Sequence, residues 1–369
     1  MSVNLDVATG SLVRVLVVDD SAFMRTTLSR MIASESDFEI VGTACNGTEA
    51  LAKIATLNPD VVTLDVEMPG MNGIETLRSI MSQFPRPVIM VSAITESGAD
   101  ATFTALGAGA FDYVPKQLPA ASLDITHIRQ DLISKIRAAA QLRKLSTHPS
   151  FVAKKQPQAS FATPVDRSGG TVSAVHSIVA IGASTGGPKA LQDILPLFPR
   201  DLSVPILIVQ HMPVGFTGLF AQRLNSLCSV KVREAAHCDL ILPGVIYVAP
   251  AGLHMTVQRL ADARAIIHLD PNPANHIHKP SVDIMMKSVA QNFGNQAMGV
   301  ILSGMGTDGA EGMNAIHLKG GLTIGQDEAT CTVYSMPRAC AELGALTRIV
   351  PLFQIPNYIL EATRSRRRA

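Results

Sequence analysis

The sequence has 369 residues, of which 47% are hydrophobic and 17% are charged, and its formal net charge is +1. This length allows two domains, and the apolar content excludes a disordered chain. The near-zero charge provides no field to attract nucleic acid, and the apolar runs are well short of the ~20 residues that a membrane helix needs. Residues 1–10 lack the basic and apolar regions of a secretory signal, so we expect a cytoplasmic protein without direct membrane insertion.

The cysteines and the basic residues add no further site. The five cysteines are scattered and show no C-x-x-C spacing, which indicates neither a disulfide framework nor a zinc site. The basic run at residues 364–368 is more typical of a solvated tail than of a nucleic-acid-binding patch. No nucleic-acid partner is therefore expected.

Residues 12–140 alternate between short apolar segments and helical patterns. The apolar segments predict strands at 14–18, 38–44, 61–64, 88–91 and 111–114. Helical patterns at 22–33, 48–57, 74–83 and 99–106 separate these strands, and a final helix is predicted at about 125–145. Five βα units of this kind predict an α/β domain with a doubly wound, flavodoxin-like parallel sheet.

Acidic side chains follow two of the predicted strands. Asp19 and Asp20 follow the first strand, and Asp65 follows the third. The carboxyl ends of parallel strands meet at one edge of the sheet, so these carboxylates are expected to converge. A single acid at such a position is usually a helix N-cap, but three converging carboxylates repel one another and favour a hard cation such as Mg²⁺. Ser92 and Lys116 follow the fourth and fifth strands at the same edge, where each can hold a phosphoryl oxygen.

Residues 141–174 are rich in Pro, Ser, Lys, Gln and Gly and have no sustained apolar period. This composition predicts a flexible connector. The remaining residues, 175–369, are then expected to form an independently folded second domain.

The second domain opens with an apolar strand, 177–183, that runs into the turn Gly182–Gly187 and a helix beginning near Pro188. Ser184 lies at the tip of this turn, and residues 182–186 fit the G-x-S-x-G pattern that exposes a nucleophilic hydroxyl beside backbone N–H groups. An ordinary Gly/Ser loop or a phosphate cradle would have a similar sequence, although Pro188 stands where a Walker loop requires lysine. The pattern alone leaves these alternatives open.

Two later strand ends favour the nucleophile. His211 follows the predicted strand 204–209, and Asp308 lies on a Gly-rich loop after the predicted strand 297–302. Loops at the carboxyl ends of one parallel sheet can meet, which predicts a serine, a base and an acid in a single crevice. The chain order Ser, His, Asp differs from the Ser, Asp, His order of the α/β-hydrolases, which argues against that fold.

Other residues compete for these roles. His254 lies in a predicted rim loop and is an alternative base, and Asp283 is an alternative acid. His276 and His278 form an H-x-H pair with some potential to bind a metal, but only Asp283 is near enough in sequence to add a further ligand. Sequence spacing alone excludes neither His254 nor Asp283.

Three segments of the first domain resemble the signature blocks of response-regulator receiver domains. They are 17–21 (Val-Val-Asp-Asp-Ser), 63–73 (Thr-Leu-Asp-Val-Glu-Met-Pro-Gly-Met-Asn-Gly) and 112–116 (Asp-Tyr-Val-Pro-Lys). By this resemblance Asp65 is the phosphoacceptor, Lys116 contacts the phosphoryl group, and a cognate histidine kinase is the phosphodonor. The resemblance further implies a Mg²⁺ site made by Asp19, Asp20, Asp65 and the backbone of Glu67, and switch positions at Ser92 and Tyr113.

Five segments of the second domain resemble the protein-glutamate methylesterases of bacterial chemotaxis. They are 181–188, 210–213, 278–283, 304–309 and 335–338. This resemblance covers both domains in their order along the chain. It implies that Ser184 is the nucleophile, that His211 is the base, and that Asp308 orients His211.

The same resemblance implies supporting roles for nearby residues. Thr185, Met305 and Gly306 fall in the active-site loops, and a backbone N–H near Met305 is a candidate oxyanion donor. Lys279 stands where the family is expected to carry arginine, so a substrate contact that depends on a guanidinium is not carried over to this chain.

The combined resemblance implies a response regulator with a receiver domain at 12–140 and a doubly wound, parallel-sheet methylesterase domain at 175–369. Its expected activity is hydrolysis of glutamate methyl esters on chemoreceptors, together with deamidation of receptor glutamines. The protein is expected to be a monomer. Mg²⁺ is expected in the receiver domain, and no cofactor is expected for the esterase reaction.

A receiver joined to a DNA-binding effector is an alternative, but the second domain lacks a basic helix-turn-helix pattern. A noncatalytic output domain would leave Ser184, His211 and Asp308 unexplained.

Overall fold

The computed structural model describes residues 12–93, 95–116, 122–146, 177–262, 264–274 and 276–363. The chain divides into two compact units, Met1–Pro149 and Ser150–Ala369. Most of the predicted connector, 147–174, and the basic run at 364–368 lie outside the described residues.

The first unit is built on a five-stranded parallel sheet in the order β2-β1-β3-β4-β5. Its strands are β1 (Val13–Val18), β2 (Phe38–Ala44), β3 (Val61–Asp65), β4 (Val88–Ser92) and β5 (Asp112–Pro115). Its helices are α1 (Ala22–Ala33), α2 (Gly47–Leu57), α3 (Gly73–Gln83), α4 (Glu96–Gly107) and α5 (Ser122–Ser146). Every residue of β3 and β4 is buried, because helices cover both faces of a doubly wound sheet. The strand order reverses beside β1, so a crevice forms at the carboxyl ends of β1 and β3.

Helix α5 ends close to the end predicted for the final helix, and its last turns occupy the start of the segment assigned to the connector. It ends at Ser146, so residues 141–146 are helical rather than part of a flexible segment. The local sequence favours this, because residues 138–143 are Ala-Ala-Ala-Gln-Leu-Arg, all strong helix formers. The end of the helix is also bound to the loop between α2 and β3, since Arg143 Nη2 donates to Asn58 Oδ1 at 2.9 Å and its Nη1 donates to the Pro59 carbonyl.

The second unit contains a seven-stranded parallel sheet in the order β14-β13-β12-β6-β7-β9-β8, together with a separate antiparallel hairpin, β10-β11. The strands are β6 (Ile178–Ala183), β7 (Ile206–Gln210), β8 (Lys231–Glu234), β9 (Val245–Val248), β10 (His254–Arg259), β11 (Ala265–Asp270), β12 (Ala297–Ile301), β13 (Leu322–Gln326) and β14 (Arg348–Val350). The helices are α6 (Gly187–Ile194), α7 (Phe216–Leu227), α8 (Val282–Phe293), α9 (Ala310–Leu318), α10 (Ser335–Glu342) and α11 (Ile355–Thr363). Strand β6 lies between β7 and β12, so the loops that follow these three strands share one edge of the sheet.

Helix α8 packs closely on the central strand of this sheet. An added Cβ on Gly182 of β6 would lie 2.3 Å from Val282 Cγ1, so glycine allows the first turn of α8 to approach the strand. Val282, Met285 and Met286 of α8 are fully buried. The predicted fold class, two α/β domains each with a doubly wound parallel sheet, is confirmed by the two strand orders. Among the helices of the described residues, none combines the length and the apolar character required to cross a membrane.

Candidate active site and acidic pocket

The three acids of the first unit lie together at the edge where β1 and β3 end. One carboxylate oxygen from each of Asp19, Asp20 and Asp65 lies within 4.8 Å of the others. Asp19 and Asp65 are buried, whereas Asp20 is exposed. Lys116, just after β5, places its Nζ 2.5 Å from Asp65 Oδ2 and 3.2 Å from Asp19 Oδ2. The strand order therefore brings together the acids and the lysine that the sequence singled out.

The electrostatics of this pocket favour a bound cation. Burial, reinforced by the charge of Asp19 and opposed by the hydrogen bond from Lys116, raises the pKa of Asp65 to about 6. Burial also raises the pKa of Asp19. The Glu67 N–H donates to Asp65 Oδ1 at 3.1 Å, which keeps the Glu67 backbone beside the pocket. The carboxylate oxygens of Asp19, Asp20 and Asp65 are hard ligands that suit Mg²⁺, so these residues fit the expected cation.

The predicted switch residues lie near the pocket but bond elsewhere. Ser92 at the end of β4 is buried, and its Oγ donates to the Gly98 carbonyl of α4 at 3.0 Å. The Tyr113 side chain on β5 is also buried. Lys135 of α5 donates to the Tyr113 carbonyl at 2.7 Å and lies 5.3 Å from the centre of its ring. The Ser92 hydroxyl thus bonds to α4 rather than to Asp65.

In the second unit, Ser184, His211 and Asp308 lie on the loops that follow β6, β7 and β12. Parallel pairing aligns Ala183 with Gln210, and the His211 N–H donates to the Ala183 carbonyl at 3.0 Å, so Ser184 and His211 leave the sheet side by side. His211 Nε2 lies 2.8 Å from Asp308 Oδ2. His211 Nδ1 is buried without a hydrogen-bond partner among the described residues. Nδ1 is therefore the nitrogen left to accept a proton.

Asp308 is held as a carboxylate by four hydrogen bonds. Besides His211, its donors are Ser281 Oγ at 2.9 Å, the Val282 N–H at 2.8 Å and the Asp283 N–H at 3.0 Å. Burial alone would raise the pKa of Asp308, but the hydrogen bond and charge of His211 and the backbone donors outweigh it and hold the pKa well below its usual range. A charged Asp308 can fix the tautomer of His211 and stabilise its imidazolium form.

The Ser184 turn is fastened by main-chain contacts. The Ser184 carbonyl accepts hydrogen bonds from the Gly187 N–H at 2.8 Å and from Gln210 Nε2 at 2.9 Å. Gly186 has a φ of +78°, a left-handed conformation that favours glycine, and an added Cβ on Gly187 would lie 2.1 Å from Gln210 Oε1. The glycines of the turn thus allow Gln210 to hold it, while Ser184 itself stays partly exposed.

The loop after β12 forms the opposite wall of the site. Ser303 Oγ donates to the Thr185 carbonyl at 2.7 Å, and the Ser303 N–H donates to Gln326 Oε1 at 2.8 Å. An added Cβ on Gly304 would lie 3.0 Å from Ser184 Cβ and 2.0 Å from Met336 Sδ. The residues expected to support Ser184 lie on two loops. Thr185, the next residue along the chain, is buried. Met305 and Gly306 lie on the loop after β12, where Met305 is half-buried and Gly306 is exposed.

The rival candidates have other partners. His254 is buried at the start of β10, so the predicted rim-loop position is wrong, and its Nδ1 accepts the Ser281 N–H at 3.3 Å. Asp283 Oδ1 accepts the N–H groups of Gly309 and Gly312 at 3.0 and 2.7 Å, which anchors the start of α9. Each rival supports the segment around Asp308 instead of contacting His211.

The histidine pair does not form a metal site. Over the part of the chain that the structure describes, the acidic pocket of the first unit is the one group of side chains with the spacing for a metal ion. The His278 ring instead stacks on the His211 ring, with centroids 4.1 Å apart.

Several supporting residues have no sequence signal of their own. These residues act through contacts between segments that are distant in sequence, and they are Ser281, Gln210, Ser303 and Gln326. The contact between Ser303 and Gln326, for example, joins residues that are 23 positions apart. Ser281 and Gln210 do lie inside segments that resemble the methylesterases, so the resemblance was the signal able to find them.

A hydrolase of the response-regulator class is expected to have an acidic pocket at the edge of one sheet and a serine, a histidine and an aspartate at the edge of another, as this chain does. Residues 15–126 match the family model described as response regulator receiver domain, and residues 179–359 match the model described as CheB methylesterase. The chain belongs to the CheB methylesterase family, in the form that carries a receiver domain.

Relatives match this chain along almost its whole length. One is the "protein-glutamate methylesterase/protein-glutamine glutaminase 2" of Nitratidesulfovibrio vulgaris, which is 44% identical over 92% of this chain and 96% of the relative. Another, of Pyrococcus horikoshii, is 44% identical over 96% of this chain and 94% of the relative. The solved methylesterase catalytic domain of Thermotoga maritima CheB is 35% identical, with a TM-score of 0.49, and covers 51% of this chain and 99% of that domain.

Proposed function

We propose that this chain hydrolyses the methyl esters of glutamate side chains on chemoreceptors, that it also hydrolyses the side-chain amides of receptor glutamines, and that phosphorylation of its receiver domain regulates both reactions. The observation that carries the proposal is the 2.8 Å contact between His211 Nε2 and Asp308 Oδ2, on loops beside the one that carries the partly exposed Ser184. The names and lengths of the relatives support the same activity.

The chemistry follows from the free nitrogen of His211. Ser184 Oγ attacks the side-chain carbonyl carbon, and its proton passes to His211 Nδ1 while Asp308 stabilises the imidazolium. Collapse of the tetrahedral intermediate breaks the bond to methanol or ammonia, which leaves with the proton from His211. Water then attacks the acyl-enzyme with His211 as base, which releases glutamate and restores Ser184. A backbone N–H near Met305 is the proposed oxyanion donor.

The regulatory half of the proposal rests on the acidic pocket. Asp65 accepts a phosphoryl group from a histidine kinase, and Lys116 pairs with the added charge. Asp19, Asp20, Asp65 and the Glu67 backbone hold Mg²⁺, which supplies charge neutralisation at the phosphoryl oxygens when bound. The phosphoryl group adds roughly −1.5 to −2 charge beside Ser92, whose hydroxyl is then drawn away from the Gly98 carbonyl.

The test is methanol release from membranes that carry methylated receptors. Ser184→Ala is expected to lower turnover by about 10⁴-fold or more, because the residue supplies the bond to the acyl group. Ser226→Ala is the matched control, since Ser226 is exposed on α7 and its Oγ bonds only within its own helix turn, to the Arg223 carbonyl. Near-normal methanol release from a folded Ser184→Ala protein would remove the nucleophile from the proposal.

A further inference from the structure

We propose that His278 is a positioning residue, which holds the ring of the base His211 in place by stacking on it. The two imidazole rings lie 4.1 Å apart between centroids and are inclined by 13°. The inference rests on the proposed function, because the ring that His278 holds is the one that accepts the proton of Ser184.

The hydrogen bonds of His211 leave the orientation of its ring undetermined. Nε2 has Asp308 Oδ2 at 2.8 Å, whereas Nδ1 is buried without a hydrogen-bond partner among the described residues. A single hydrogen bond allows the ring to swing about the axis of that bond, which changes the direction in which Nδ1 points. A second flat ring in van der Waals contact with one face removes this freedom. Such control matters, because a misplacement of about 1 Å in a reacting group costs about 10²-fold in rate.

The position of His278 is itself well defined. The Gly252 N–H donates to the Lys279 carbonyl at 3.1 Å, and His276 Nδ1 lies 3.2 Å from the His278 carbonyl. Three residues after His278, Ser281 Oγ donates to Asp308 Oδ1. One short segment, 276–281, therefore contacts both members of the catalytic pair: the ring of His211 through a stack and the carboxylate of Asp308 through a hydrogen bond.

The stack also requires that His278 be uncharged, because His211 becomes an imidazolium during acyl transfer. Burial, with the charges of His211 and His276 acting in the same direction and Asp308 opposing them, lowers the pKa of His278 to about 4. His254 of β10 approaches His276 edge-on, with ring centroids 5.5 Å apart. At neutral pH His278 therefore presents a neutral aromatic face, which attracts the cationic ring of His211 instead of repelling it.

The test uses the full chain and measures kcat and KM for methanol release from methylated receptor membranes. His278→Ala is expected to lower kcat about 10- to 100-fold with KM nearly unchanged, because a mispositioned base weakens the transition state and not substrate binding. His278→Phe keeps a flat ring and is expected to retain kcat within about threefold of wild type, with the acid limb of the pH profile unmoved. Ile277→Ala is the control, since this neighbouring side chain is 91% exposed.

Each alternative role has its own signature. A wild-type kcat in His278→Ala overturns the positioning role, and so does a raised KM with unchanged kcat, which would make His278 a substrate contact. If kcat falls as far in His278→Phe as in His278→Ala, the stacking role is wrong and the function belongs to a ring nitrogen of His278. If thermal unfolding shows that His278→Ala does not fold, His278→Gln, which also lacks a ring, takes its place with the same expected loss. Failure of the proposed function is distinct, because the wild-type chain itself would then release no methanol.

Discussion

Ser281 Oγ donates to Asp308 Oδ1 at 2.9 Å, and both side chains are buried. The hydroxyl is one of four donors to Asp308, and it also caps α8 by accepting the Ile284 N–H at 3.3 Å. Ser281 thus ties the start of a helix to the acid that orients His211. The contact explains how a loop 27 positions away in sequence takes part in holding the catalytic pair.

This contact predicts a graded response to substitution. Ser281→Ala removes one donor of four and is expected to lower kcat/KM about tenfold, in line with about 1.5 kcal/mol for one hydrogen bond to a charged group. Asp308→Asn removes the charge and favours the wrong tautomer of His211, so a loss of about 10³- to 10⁴-fold is expected. Methanol release at neutral pH measures the loss of activity in each variant. Equal losses in the two variants would contradict the view that Ser281 is only one of four donors to Asp308.

The two buried histidines of the site should differ in importance. His211→Ala is expected to be as severe as Ser184→Ala, because the members of a triad act as a unit. His254→Ala removes an acceptor for the Ser281 N–H and the edge-on contact with His276, and neither contact involves His211, so a loss of about tenfold or less is expected. Methanol release by the two variants, with thermal unfolding to verify the fold, makes the comparison. An inactive His254→Ala beside an active His211→Ala would reassign the base.

The sequence predicts the proposed catalytic residues for a simple geometric reason. Ser184, His211 and Asp308 each follow a strand with strong apolar character, and parallel strands bring such loops to one edge. Resemblance to the methylesterases then selects among the candidates, which spacing alone left open.

Other features depend on pairing between distant segments and were not predictable locally. His254 is polar and lies near glycine and proline, yet its pairing with Asp270 in the β10-β11 hairpin turns its side chain inward. Strand β8 has the sequence Lys-Val-Arg-Glu, and its single apolar residue provides no strand signal. The stack of His278 on His211 likewise depends on how residues 276–281 lie over the end of β7.

The contact between Gly304 and Met336 predicts a stability coupling. A Cβ at 304 would lie 2.0 Å from Met336 Sδ, so Gly304→Ala is expected to destabilise the second unit by about 1–3 kcal/mol and to lower activity. Met336→Ala leaves a cavity and is expected to cost about 2–5 kcal/mol on its own. The double variant should lose less than the two single losses together, because the smaller side chain makes room for the new methyl group. Denaturant unfolding of the four proteins measures the coupling, and strictly additive losses would contradict it.

The acidic pocket predicts a pH-dependent gain in stability for Asp65→Asn. The folded pKa of about 6 exceeds the ordinary aspartate pKa of 3.8, so between these pH values the folded state binds more protons than the unfolded state. Stability therefore falls as the pH rises through this window, and the ionised carboxylate costs the fold roughly 3 kcal/mol or less above it. Asp65→Asn should stabilise the first unit at pH 7.5 without Mg²⁺ and change little at pH 4. Denaturant unfolding at both pH values tests this, and a less stable variant at pH 7.5 would show that the Lys116 ion pair outweighs the burial.

The last prediction concerns regulation. In this structure Ser92 Oγ donates to the Gly98 carbonyl at 3.0 Å, whereas a phosphoryl group on Asp65 would offer charged oxygens that compete for the same hydroxyl. Charge-assisted hydrogen bonds are roughly twice as strong as neutral ones, so phosphorylation should draw Ser92 away from α4. A small-molecule phosphodonor with Mg²⁺ is therefore expected to raise methanol release by the full chain, and Asp65→Asn should abolish the stimulation without lowering the basal rate.

Ser92→Ala separates the chemistry of phosphorylation from its consequence. The variant retains Asp65, Lys116 and the acidic pocket, so it should incorporate phosphate while showing a stimulation reduced severalfold. If Ser92→Ala is stimulated as fully as wild type, the signal leaves the pocket by a route other than Ser92 and α4.

A chain of residues 177–369, which lacks the receiver, should be active without a phosphodonor. It should release methanol faster than the unphosphorylated full chain, and it should not respond to a phosphodonor. If residues 177–369 are no faster than the full chain, the unphosphorylated receiver does not inhibit the enzyme, and phosphorylation must act by improving the catalytic geometry.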